Sequence, residues 1–200
     1  PVPGYKRAIM TFDFDAYVTA ALFDRSGRTL FALGDGTVRA VTGEGFVTVE
    51  AHQGAILSAC LHPSGLGILT GGDDGRVVWT RLEGGEIAAT LVAEVKGRWI
   101  DSVAASAESG LIAFTAGRDL HVRDSKDPAF GRVFIHEKSA AHVAFDPKGR
   151  RLAVATYNGA ALWYARIADQ KPQLLKWAGS HVLVAWSPDG RFLMSAMQEN

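Results

Sequence analysis

One cysteine, Cys60, stands alone in 200 residues. No disulfide can close within the chain, and a thiolate metal knuckle cannot be built on one sulfur. Cys60 lies in the apolar run Ile56–Leu61, where the expected role is that of a small buried side chain. A chain without disulfides suits a reducing compartment, so a cytoplasmic location is expected. Excess charge is also lacking: 21 Lys and Arg balance 21 Asp and Glu. With no basic run either, neither nucleic acid nor an acidic membrane is an expected partner. No stretch approaches the roughly 20 apolar residues of a membrane span. Pro1–Arg7 has no apolar signal-peptide core. The chain opens on Pro1 rather than Met, which leaves room for a removed targeting segment.

Catalytic signatures are missing too. There is no phosphate-binding loop, dinucleotide fingerprint, Gly-x-Ser-x-Gly elbow or His-Glu-x-x-His segment. The six histidines are dispersed, and none pair at metal-ligand spacing. Asp35, Asp73, Asp74 and Asp189 sit in turns, where Asp bonds nearby backbone N–H groups. The expectation is a protein that is not an enzyme and has no cofactor and no metal site.

What is present is a repeat. Hydrophobic residues make up 48% of the chain, which excludes disorder as the main state. Five segments share one plan: an apolar run, a tight turn with Gly, and a second apolar run. The turn glycines are Gly27, Gly65, Gly110, Gly149 and Gly190, separated by 38, 45, 39 and 41 residues. A second hairpin follows in four of the units, at Gly34-Asp35-Gly36, Asp73-Asp74-Gly75, Gly117-Arg118-Asp119 and Tyr157-Asn158-Gly159. Asp-Gly and Asn-Gly are strong hairpin signals. Third and outer strands come next, among them Arg76–Trp79 with Ile87–Leu91, and Ala160–Trp163 with Gln173–Lys176. No helical stripe persists. A period near 40 residues matches one four-stranded propeller blade. Such sheets are apolar on both faces and need stacked neighbours to bury them.

Several motifs carry a family resemblance. Ser187-Pro188-Asp189-Gly190-Arg191-Phe192-Leu193 resembles the turn between first and second strands of the WD-repeat (WD40) family, as does Asp146-Pro147-Lys148-Gly149. The best whole repeat runs from Ala51-His52-Gln53-Gly54 to Asp73-Asp74-Gly75-Arg76-Val77-Val78-Trp79. The resemblance implies an all-β propeller of four-stranded antiparallel blades, with about 4.5 WD-like repeats in a single domain over residues 1–200. A ring of seven blades would need roughly 280 residues, so the chain is expected to be part of a longer propeller. Residues 5–12 read as an outer strand that would clasp the last blade. The family's structural network of His, Asp, Ser or Thr, and Trp is complete in no repeat. His52, Thr70 and Asp74 come nearest, in a structural role. By strand alternation, Trp79 and Trp163 fall one place early for it.

In this family the loops entering the first strands and the hairpins between second and third strands share one face. Arg98, Trp99, Asp101, Arg118, His142, Tyr157 and His181 would line it. Arg98-Trp99 is the anchor candidate, because Trp and Arg dominate interface hot spots; Trp177 is a second. The resemblance thus implies a scaffold or adaptor for a protein or peptide. The alternative is a propeller enzyme of hydrolase or lactonase type, with an axial metal or acid/base site.

Overall fold

The computed structural model describes residues 10–43 and 45–198. They form four antiparallel sheets of four strands. The first holds β1 (Val18–Phe23), β2 (Thr29–Leu33), β3 (Thr37–Thr42) and β4 (Gly45–Glu50). The second holds β5 (Ile56–Leu61), β6 (Ile68–Gly72), β7 (Arg76–Glu83) and β8 (Glu86–Glu94). The third holds β9 (Ser102–Ser106), β10 (Leu111–Ala116), β11 (Asp119–Asp124) and β12 (Gly131–Ile135). The fourth is β13 (Ala140–Phe145), β14 (Arg151–Tyr164), β15 (Gln173–Trp186) and β16 (Leu193–Gln198). Of the expected clasp at 5–12, residues 5–9 lie outside the described residues, and Met10–Phe14, which hold the rest of it, are irregular. Phe12 and Phe14 pack against Phe31 and Phe46 on the first sheet, with Arg39 over the rings of Phe14 and Phe46.

Turn chemistry explains where the strands differ from their sequence reading. β7 and β8 run on past Trp79 and start before Ile87, because Gly84 and Gly85 both take positive φ, 59° and 91°, and close a tight hairpin. β14 runs through the expected turn Tyr157-Asn158-Gly159. Its first half pairs with β13 and its second half, from Tyr157 with a register shift before Gly159, with β15. Asn158 and Gly159 have φ of 73° and 132° and reverse the chain there. β15 serves two units likewise: Gln173–Lys176 is the outer strand of the fourth, and its last residues pair with β16 as the first strand of the fifth.

The sheets stack in chain order, and a separate apolar cluster fills each junction. Leu30, Val38, Ile56 and Ile68 join sheets one and two. Leu69, Val77, Ile100 and Phe114 join two and three. Leu120, Phe134, Leu152 and Trp163 join three and four. Ala153, Ala160, Val184 and Trp186 join the fourth unit to the fifth. The first strands β1, β5, β9, β13 and β15 neighbour one another in series. A polar side chain ties most of them together: Thr19 Oγ1 donates to Ile56 O (3.1 Å), Val103 N to Ser58 Oγ (3.0 Å) and Val143 N to Ser102 Oγ (3.2 Å). This all-β arrangement is consistent with propeller blades: sheets apolar on both faces, each supported by its neighbours.

On the opposite rim, turn carboxylates hold the first hairpins. Asp146 accepts from the backbone N–H groups of Arg150 and Arg151 and from Arg151 Nε, and Arg151 reaches on to Gly190 O. Asp24 and Arg28 repeat the motif, with Arg28 reaching Leu82 O. In the second unit His62 takes the carboxylate's place, stacked on Trp79 with ring centroids 4.0 Å apart. Burial and the nearby Arg81 bring His62 from its ordinary 6.5 down to about 4. A depressed histidine pKa favours the folded state only while the ring is neutral. Its contribution is therefore full above pH 6.5 and lost as pH falls towards 4. Burial lowers His121, His136 and His142 as well, acting in the same direction. Calorimetry should show Tm falling between pH 7 and pH 4.5, less steeply in His62→Phe; a flat profile would refute this.

His121 is an internal weak point. Its ring stacks on Phe114, 4.8 Å between centroids, and neither ring nitrogen has a partner among the described residues. Burying unpaired polar atoms costs free energy that an apolar side chain does not. His121→Leu is expected to raise stability by about 1 kcal/mol in urea unfolding; a loss would show that an ordered water completes the site.

Candidate binding face

The hairpins between second and third strands lean against the junctions that lead into the next sheet. Gly36 O accepts from Ala51 N and His52 N, Gly75 O from Val95 N, and Gly117 O from Ala140 N. Each junction is thus pinned by the preceding turn, and the loops of this face are held by main-chain hydrogen bonds.

At the first junction, His52 Nδ1 lies 2.9 Å from Asp74 Oδ1 and Nε2 2.8 Å from Thr70 Oγ1. Burial alone would raise the Asp74 carboxyl. The hydrogen bonds from His52 and from the backbone N–H groups of Gln53 and Arg76 hold it below its ordinary value. Trp79 stays out: its indole donates to Leu66 O and its ring faces the third sheet. At the third junction Trp163 takes part. Its Nε1 donates to His136 Nε2 (3.0 Å), and His136 Nδ1 lies 3.0 Å from Arg118 O. A carbonyl only accepts, so His136 carries its proton on Nδ1. The two tryptophans differ because the Asn158-Gly159 turn, with two positive φ values, is one residue shorter than Asp73-Asp74-Gly75, with one. One residue flips every following side chain to the other face. Trp163 therefore looks back at the third sheet, whereas Trp79 looks forward to it.

The seven residues read from the sequence divide into three groups. Arg98, Trp99 and Asp101 line one hollow of about 420 Å³ with Ser139 and Ala141. Trp99 is 63% exposed. The Arg98 guanidinium lies over Gly117. Partial burial pushes the Asp101 carboxyl up, against a hydrogen bond from the Gly117 backbone. Tyr157 and His181 line an adjoining hollow of about 400 Å³, which shares Ser139 and Ala141 with the first. Arg118 and His142 line neither. Arg118 gives its carbonyl to His136. His142 is turned towards β15, its Nδ1 3.5 Å from Val184 N, in the manner of Ser58 and Ser102. His181 is itself buried, with Nδ1 2.6 Å from Ser195 Oγ and Nε2 3.1 Å from Trp177 O. Its place echoes that of His52, so its ring is a wall rather than a free ligand group.

The residues missed by sequence reasoning are Lys138 and Ser139, which stand at the entry to β13 and border the hollows. Their only signal is position in a junction loop. Among the described residues no group of three His, Cys, Asp or Glu is placed to hold a metal ion. No helix there is long and apolar enough to cross a membrane.

Comparison with protein families finds the WD domain, G-beta repeat, over residues 44–79. That segment straddles two sheets, taking β4 from the first and β5, β6 and the first half of β7 from the second. It contains the whole His52–Thr70–Asp74 network. No curated protein matches the chain.

Proposed function

We propose that the stacked sheets are successive blades of a WD-repeat propeller, seven in the full ring, acting as a non-catalytic scaffold for a protein or peptide. The partner sits on the face formed by the junction loops and hairpin turns. The observation that carries this is Trp99, open beside Arg98 at the mouth of a hollow whose walls are fixed by main-chain hydrogen bonds. A large aromatic side chain held on a rigid loop loses little entropy on binding and offers much contact area. The histidines support a non-catalytic reading, since His52, His136 and His181 spend their ring nitrogens on structural hydrogen bonds. Phe192, Met194 and Met197 are open beside and along β16, apolar surface of the kind a further blade covers.

Affinity capture tests the face. Wild-type protein should retain partners that Trp99→Ala and Arg98→Ala lose, each by about tenfold in affinity or more, with unchanged circular dichroism. Equal capture by all three would remove the site. Electron microscopy of the full-length protein would show seven blades around an axis or overturn the ring.

A further inference from the structure

A hollow roomier than those beside Trp99 lies away from them, between the outer parts of the third and fourth sheets, at about 760 Å³. That is within the range of roughly 300–1,000 Å³ typical of binding clefts. Both sheets flanking it are complete. In the first junction the outer strands close the gap: β4 and β8 pack together, and Val47, Val49 and Ile87 join the cluster. In the third junction β12 and the outer half of β15 hardly touch. Phe134 stacks on Trp163 at 4.6 Å and seals the inner end. Leu174 pairs with Ala161 and so shares its face, turned to the third sheet. No residue of the outer half of β15 joins that cluster. Leu174 is left 56% exposed, and Trp177 at the mouth 68%.

We infer that this cleft is a docking site for an extended peptide segment of a partner protein, bearing a large apolar side chain next to an acidic residue. The apolar side chain goes against Leu174, Trp163 and Trp177. The acidic residue is specified by the rim. Lys138 and Lys176 both border the cleft, and neither has a carboxylate at ion-pair distance among the described residues. Glu137, also on the rim, offsets one of these charges, so the cleft calls for one carboxylate rather than a run of them. A lysine beside an apolar surface gains from a carboxylate partner that arrives with its own apolar neighbour, because both are desolvated together. The floor makes no polar demand: the Trp163 N–H and both His136 nitrogens are already engaged.

The inference rests on the scaffold reading but not on the Trp99 hollow. A phage-displayed random peptide library selected on the intact protein tests it. Enriched peptides should pair Leu, Phe or Trp with a neighbouring Asp or Glu. They should bind Trp177→Ala and Lys176→Glu about tenfold more weakly or worse, yet bind Trp99→Ala normally. Changing the peptide's acidic residue to Lys should restore affinity for Lys176→Glu. Both side chains are exposed, so the variants fold, and circular dichroism checks this. Peptides without the pattern, no enrichment, or undiminished binding to Trp177→Ala would overturn the cleft. Peptides lost with Trp99→Ala alone would overturn it too, while leaving the scaffold reading standing.

Discussion

Trp163→Ala should destabilise the protein by about 3–5 kcal/mol, among the largest effects of any single side-chain truncation here. The side chain is buried at the junction of the third and fourth sheets and stacks on Phe134. Its removal leaves a cavity lined by Phe134, Leu152 and Ala161, and well-packed sheets collapse into such a space only in part. It also leaves His136 Nε2 without a donor in the interior. Trp163→Phe separates the two effects. Most of the ring volume stays, the hydrogen bond goes, and the expected loss is about 1–2 kcal/mol. Urea unfolding of both variants checks the order. Equal losses would mean that the hydrogen bond, not the packing, holds the junction. Trp163 also forms the floor of the proposed cleft, so Trp163→Ala should abolish peptide binding there, and Trp163→Phe should retain most of it.

Much of the architecture was legible because a propeller-like stack repeats one local plan. Alternating apolar runs and Gly-containing turns recur at a nearly fixed interval, and each repeat reads its neighbour's answer. The faces of individual side chains were less legible. Strand alternation put both Trp79 and Trp163 one place early. That holds for Trp79 and fails for Trp163, because a two-residue and a three-residue hairpin look alike as Asn-Gly and Asp-Gly until their φ values are known. The site residues divided on the same ground. Trp99 and Tyr157 are open, whereas His142 and His181 are drawn into hydrogen bonds with β15 and β16. Sequence position put them near one mouth of the fold but could not show that the rings turn inward. The cleft between sheets three and four had no sequence signal beyond Trp177. It lies where Leu174 and Trp177 of the outer strand stay exposed beside the third sheet, which depends on how neighbouring sheets are spaced.

Gly75→Ala should cost about 2–4 kcal/mol and impair the Trp99 hollow as well. Gly75 holds φ at +80°, a conformation that strains any residue with a Cβ. Space is the harder limit. A Cβ there would come within 2.4 Å of Val95 O and 2.7 Å of Arg98 O. Both atoms are backbone, so relief requires the junction itself to move. That junction carries Arg98 and Trp99, and its own anchors are Val95 N to Gly75 O (2.8 Å) and Ile100 N to Gly72 O (3.0 Å). Ile100 is buried in the cluster between the second and third sheets, so displacement is resisted from below and falls on residues 95–99. Gly27 makes the contrast. Its φ is +77°, but a Cβ would meet nothing within 4 Å, so Gly27→Ala should cost only the backbone strain, about 1 kcal/mol. Thermal unfolding would rank the pair. Amide exchange at 95–99 should accelerate in Gly75→Ala and stay unchanged in Gly27→Ala. Equal costs with quiet loops in both would mean that the turn does not press on the junction, and the rigid mounting argued for Trp99 would be lost.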